Sequence, residues 1–107
     1  MTIGAWLGAR RPAPPENLGA HVRRALGDAL ARPEADTVAS CLGAAEKLLI
    51  SLRDDPEAGR EVALDLLAAD ALITYAFEAA AEDPLTLADV AQMATWRVGQ
   101  VAVELEP

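Results

Sequence analysis

Several residues in this chain have the type and spacing to do chemistry. Glu57, Glu61 and Asp65 recur every fourth position, which stacks carboxylates along one helix and could offer oxygens to a divalent cation. The same spacing also describes a solvated helix face. Asp54-Asp55-Pro56-Glu57 is a second acidic cluster, which capping of the following helix explains sufficiently. Asp70 lies in the apolar run LLAADALITYAF with Thr74 one turn on. A carboxylate there is expected at a helix crossing, buried and paired with an arginine or a backbone N–H. His21 would suit general-base work, but local sequence offers no nucleophile or orienting partner. With Asn17, Arg24 and Asp28 it falls on a polar helical stripe and is read as solvated.

None of these completes a catalytic constellation. The seven glycines are scattered and form neither GxGxxG nor GxxxxGK[ST], so no phosphate-cradling loop is expected. One histidine cannot supply the paired Glu-x-x-His sites of di-iron bundles. There is no Gly-x-Ser-x-Gly elbow. Cys41 is the one cysteine, which excludes an internal disulfide and a cysteine-based zinc cluster. No catalytic residue, no metal ligand and no cofactor site is assigned.

The positioning elements are helices. Residues 59–81, GREVALDLLAADALITYAFEAAA, form the central one, within a helix expected over about 56–82. Asp55-Pro56 is a good helix start, and Pro84 disfavours helix at Asp83. Between Val62 and Phe77 only Asp65 and Asp70 carry charge. A helix apolar nearly all round belongs among other helices or in a membrane. The two carboxylates break any membrane span, so this is expected to be an inner helix. Three more are expected, over about 16–31, 33–53 and 86–104. The second has a seam of Val38, Cys41, Ala45, Leu48 and Leu52 at spacings of three and four. Cys41 therefore reads as a small buried hydrophobe. The last begins with a box-like Thr86 and Asp89 and turns Leu87, Ala91, Ala94, Val98, Val101 and Leu105 inward. The predicted fold is all-α: an antiparallel four-helix bundle over 16–107, preceded by an extended proline-rich arm, residues 1–15, with Pro12, Pro14 and Pro15.

Opposite the inward seam of the last helix lie Met93, Trp96 and Val103, with Gly99 between them. A second apolar stripe needs a cover. Either the arm with Trp6 supplies it, or the same stripe on another copy does so across a two-fold axis. Trp6, Met93, Trp96, Gly99 and Val103 are the candidate interface; Asp70 and Thr74 are the candidate buried polar position.

The 107 residues suffice for one domain with its own core. Twenty-four are alanine and four aromatic, so the core depends on its leucines and valines. Net charge is −8, divided as +3 over residues 1–32 and −11 beyond. Such a surface repels phosphate backbones and argues against general nucleic-acid binding. Nothing reads as a signal peptide, and a cytoplasmic location is expected.

The segment Leu67-Ala68-Ala69-Asp70-Ala71-Leu72-Ile73-Thr74-Tyr75-Ala76-Phe77-Glu78 resembles one helix of the trans-isoprenyl diphosphate synthases, an all-helical family. The resemblance covers about a tenth of the chain. The family's paired DDxxD motifs are missing: Asp54-Asp55 is followed by Ala58 where the third aspartate would fall. No catalytic residue carries over. What the resemblance implies is a pocket for an apolar, isoprenoid or lipid ligand beside the central helix. The residues themselves favour a non-catalytic interaction module, a homodimer or a binder of a protein partner.

Overall fold

The computed structural model describes residues 1–54, 60–82 and 84–105, with side chains except at 60, 61, 84–90 and 102–105. Its described residues form five α-helices: α1 (Ile3–Gly8), α2 (Glu16–Leu26), α3 (Thr37–Asp54), α4 (Arg60–Ala81) and α5 (Pro84–Leu105). Two 3₁₀ turns, Gly27–Ala31 and Glu34–Asp36, lead from α2 to α3. The fold is all-α, and no described helix is long and apolar enough to cross a membrane.

The N-terminal stretch differs from the extended arm expected. Thr2 starts a helix, its Oγ1 accepting from the Ala5 N–H at 3.2 Å, as an N-cap should. Ile3, Trp6 and Leu7 then share one face at i, i+3 and i+4 and are buried. The chain before and after Thr2 is clipped to the α2–α3 connection. Ile3 N–H donates to the Arg32 carbonyl and Glu34 N–H to the Met1 carbonyl, both at 2.9 Å. Gly4 permits the close approach: a Cβ there would stand 3.3 Å from the Leu30 carbonyl oxygen.

Trp6 fixes α1 in place, and it is 2 % exposed. Its indole N–H donates to Glu82 Oε1 at 3.1 Å, and its ring meets Tyr75 edge-on at 6.2 Å between centroids. The Arg10 guanidinium lies 4.2 Å over the indole, a cation–π contact. Trp6 thus joins the chain's own core and is no part of an exposed interface.

The helix expected over 16–31 ends early. Gly27 takes φ of 53°, a left-handed conformation that glycine adopts without steric cost, and the next turn tightens to 3₁₀. Thr37 opens α3 and donates its hydroxyl to the Glu34 carbonyl at 2.6 Å. Pro84 begins α5, a position where its missing N–H costs nothing. The expected start at Asp55-Pro56 and stop at Asp83 lie outside the described residues, as do the side chains of the Thr86–Asp89 box.

Helix α4 packs most extensively on α3, and then on α2 and α5. Ala68, Leu72, Ala76 and Ala80, four apart, are 0–2 % exposed, and the first three share one core with Cys41, Leu42, Ala44 and Ala45. Enclosure on every flank, expected from the apolar run, is not observed. Ala63, Leu67, Asp70, Thr74, Glu78 and Ala81 form an exposed line, and Leu66 and Leu67 are 50 % and 56 % exposed. The packing helices cover one side of α4 and leave this one to solvent.

The two tryptophans differ in what they support. Trp6→Ala should lower unfolding free energy by about 3–5 kcal/mol, the range for emptying a buried aromatic site. Trp96→Ala, at an exposed position, should stay within about 0.5 kcal/mol for the monomer. Chemical denaturation of both variants at low protein concentration checks the contrast.

Candidate functional site

On α5 the inward face carries Ala94 and Val101, 4 % and 6 % exposed. The outer face carries Met93 at 44 %, Trp96 at 64 % and Val98 at 39 %, so Val98 turns partly outward instead of closing the inner seam. A Cβ built on Gly99 would meet nothing within 4 Å among the described residues, so none of them requires glycine there. The Thr95 hydroxyl donates to the Ala91 carbonyl at 2.9 Å, which satisfies it within the helix. The side chain of Val103 lies outside those described. From Val90 to Val103 the sequence has no carboxylate and one charge, Arg97.

A different surface opens beside α1. A cleft of about 370 Å³ lies between the end of α1, the Arg10–Pro14 connection and α2, with Tyr75 of α4 on its wall. Leu7, Ala13, Pro14, Ala20 and Val22 give it an apolar lining, and Arg10, Arg11 and Arg23 bring three guanidinium groups to it. Arg11 Nη1 donates to the Gly8 and Arg10 carbonyls at 2.9 and 2.8 Å. Arg23 Nη2 donates to the Gly4 carbonyl at 3.2 Å. Burial pushes the Tyr75 phenol up from its ordinary range, with Glu78 and Cys41 adding to the push and Arg23 opposing it. That phenol is neutral near pH 7 and can donate.

His21 is the residue that sequence reasoning misplaced. Its Nε2 stands 2.5 Å from Asp65 Oδ1, with the two side chains 14 % and 18 % exposed. A carboxylate only accepts, so Nε2 carries the proton in this contact. His21 Nδ1 is buried with no hydrogen-bond partner among the described residues. The pair ties α2 to α4 across 44 positions of sequence, a separation at which no local pattern could announce it. It also takes Asp65 out of the carboxylate ladder; Glu57 and Glu61 side chains are not among those described.

No protein-family model, curated protein or solved structure matches this chain. Its functional reading rests on these surfaces.

Asp70 is exposed, in contrast to the buried position expected for it. Thr74, also exposed, donates its hydroxyl to the Asp70 backbone carbonyl at 2.9 Å, so hydroxyl and carboxylate are not brought together as a polar site. Among the described residues no three histidine, cysteine, aspartate or glutamate side chains converge to hold a metal ion. Cys41 is fully buried, and its thiol is pushed up to about 12 by that burial. A recess between α3, α4 and α5, walled by Leu42, Ala45, Leu49, Ile73, Ala94 and Val98, holds about 10 Å³. That is the lower limit for one water.

Removing one member of a buried hydrogen-bonded pair leaves the other unsatisfied. Asp65→Ala and His21→Ala should each destabilise the fold by about 1–3 kcal/mol, and the double variant by less than their sum. A double-mutant cycle in urea measures the coupling, and simple additivity would show the contact contributes nothing. For Cys41, the charged thiolate is the disfavoured form. Its contribution is intact below the unfolded value of 9.0 and is lost as pH rises from there toward about 12. The stability difference between wild type and Cys41→Ala should therefore change over that window and stay flat below it.

Proposed function

We propose that this protein is a non-catalytic interaction module that self-associates through the outer face of α5. The supporting observation is charge placement. The chain carries −8 overall, so bringing two copies together sets carboxylate against carboxylate over most of the surface. The fourteen residues 90–103 are free of acids, and within them stand the exposed Met93 and Trp96. Tryptophan at the centre of an apolar patch is a favoured anchor of binding energy. A two-fold contact would place Trp96 of each copy beside Gly99 of the other, where the bare helix backbone admits close approach. An antiparallel arrangement of α2–α5 is part of this reading, and the packing of α4 on α2, α3 and α5 supports it.

An apolar-ligand carrier finds less support. The recess among α3, α4 and α5 is too small for a chain-like molecule, and the larger cleft beside α1 sets three arginine guanidinium groups among its apolar residues. Protein partners other than a second copy would use the same α5 face.

Sedimentation equilibrium tests the proposal. Wild type should dimerise, and Trp96→Ala should weaken the dimer by about 30-fold, the effect of losing a 2 kcal/mol anchor. Gly99→Leu should also give monomer, with the thermal melt of the monomer little changed. A wild-type chain that stays monomeric at high micromolar concentration would remove the proposal.

A further inference from the structure

The α1–α2 cleft brings together two guanidinium groups, Arg11 and Arg23, that no carboxylate among the described residues neutralises. With 17 acidic residues in the chain, an arginine has abundant carboxylates to pair with. Yet among the described residues neither Arg11 nor Arg23 forms an ion pair. Both are held by backbone carbonyls instead, which orient a guanidinium without cancelling its charge. They come together at Gly8: Arg11 donates to its carbonyl at 2.9 Å, and Arg23 Nη2 would lie 3.6 Å from a Cβ at that position. Arg10 is shared with Glu82 at 3.7 Å, and its buried Nε has no partner among the described residues. Glu16 is the one carboxylate in the lining. The remaining wall is apolar, and the volume of about 370 Å³ is at the small end of ligand sites.

We propose that this cleft binds a small organic phosphate, its phosphoryl group held by Arg11 and Arg23 with Arg10 alongside, and its apolar body against Leu7, Pro14, Val22 and Tyr75. Guanidinium groups match phosphate geometry with paired N–H donors, which favours a dianion over a simple halide or a neutral solute. The ligand is free in solution and not a lipid headgroup, because the acidic remainder of the chain is repelled by an anionic membrane surface. This site stands apart from the α5 face, and neither reading depends on the other.

Isothermal titration at low ionic strength with phenyl phosphate, phenol and inorganic phosphate tests it. Phenyl phosphate should bind at least about tenfold more tightly than either half of it alone, and added salt should weaken it. Arg11→Gln and Arg23→Gln should each reduce affinity about tenfold or more, a step of about 1.4 kcal/mol. Arg24→Gln removes the same charge from an exposed position on α2 outside the cleft and should leave affinity nearly unchanged. Should Arg23→Gln unfold through loss of its Gly4 contact, Arg11→Gln decides, since its bonds are local and exposed. No binding of phenyl phosphate at millimolar concentration would overturn the proposal, as would equal losses in Arg11→Gln and Arg24→Gln. Equal affinity for inorganic and phenyl phosphate would overturn the role of the apolar wall. Cosedimentation with phosphatidic acid vesicles would overturn the free ligand.

Discussion

The seating of Trp6 is the contact on which the arrangement of this chain depends. One side chain there satisfies three requirements together: its apolar surface is removed from water, its indole N–H reaches Glu82, and its faces and edges are taken by Arg10 and Tyr75. A buried indole without an acceptor would offset part of its own hydrophobic gain. With the acceptor supplied by the turn just beyond α4, the N-terminus is held against the far end of that helix. The backbone clips at Ile3 and Glu34 then fix the path into α3. Because α1 is so short, it has little helical stability of its own. Its conformation comes from docking. The cleft beside it exists for the same reason, since its wall is the end of α1 and the connection that follows.

Helix α4 shows how a nearly uncharged run can still have two sides. Its buried line, Ala68–Leu72–Ala76–Ala80, runs at intervals of four, and the opposite line contains Asp70, Thr74 and Glu78 at the same interval. Read as composition, the run is apolar all round. Read as position, Asp70, Thr74 and Glu78 share one line, which is where solvent lies, while Asp65 turns to His21 on α2. Asp70 is therefore not a charge buried among hydrocarbons, and the difficulty it posed in the sequence does not arise in the structure.

What was legible in the sequence was whatever a single helix records about itself. The α3 seam of Cys41 and Ala45 is buried, Pro84 opens α5, and Met93 and Trp96 lie away from the inward Ala94 and Val101. The i, i+3, i+4 spacing of Ile3, Trp6 and Leu7 was also present, but the prolines after it suggested an extended path and outweighed a helix of six residues. Gly27 could have marked the end of α2, since a glycine at a helix end commonly supplies the left-handed turn. Contacts between distant segments left no such trace. His21 meets Asp65, Trp6 meets Glu82, and Arg23 meets Gly4 only because three helices converge. The cleft was hidden for that reason, although the surplus of arginine in residues 1–32 pointed to its sign.

The alanine seam between α3 and α4 has a one-sided fragility. Its side chains are already near the minimum a residue can offer, so truncation has almost nothing left to remove, and scanning the seam with alanine would report silence. Enlargement is another matter. Any added methylene at Ala45, Ala68 or Ala76 acts as a wedge between two backbones that have no slack to yield, and it forces the helices apart along their length. The interior of this molecule thus depends on its few large residues against truncation and is intolerant of growth at the small ones between them.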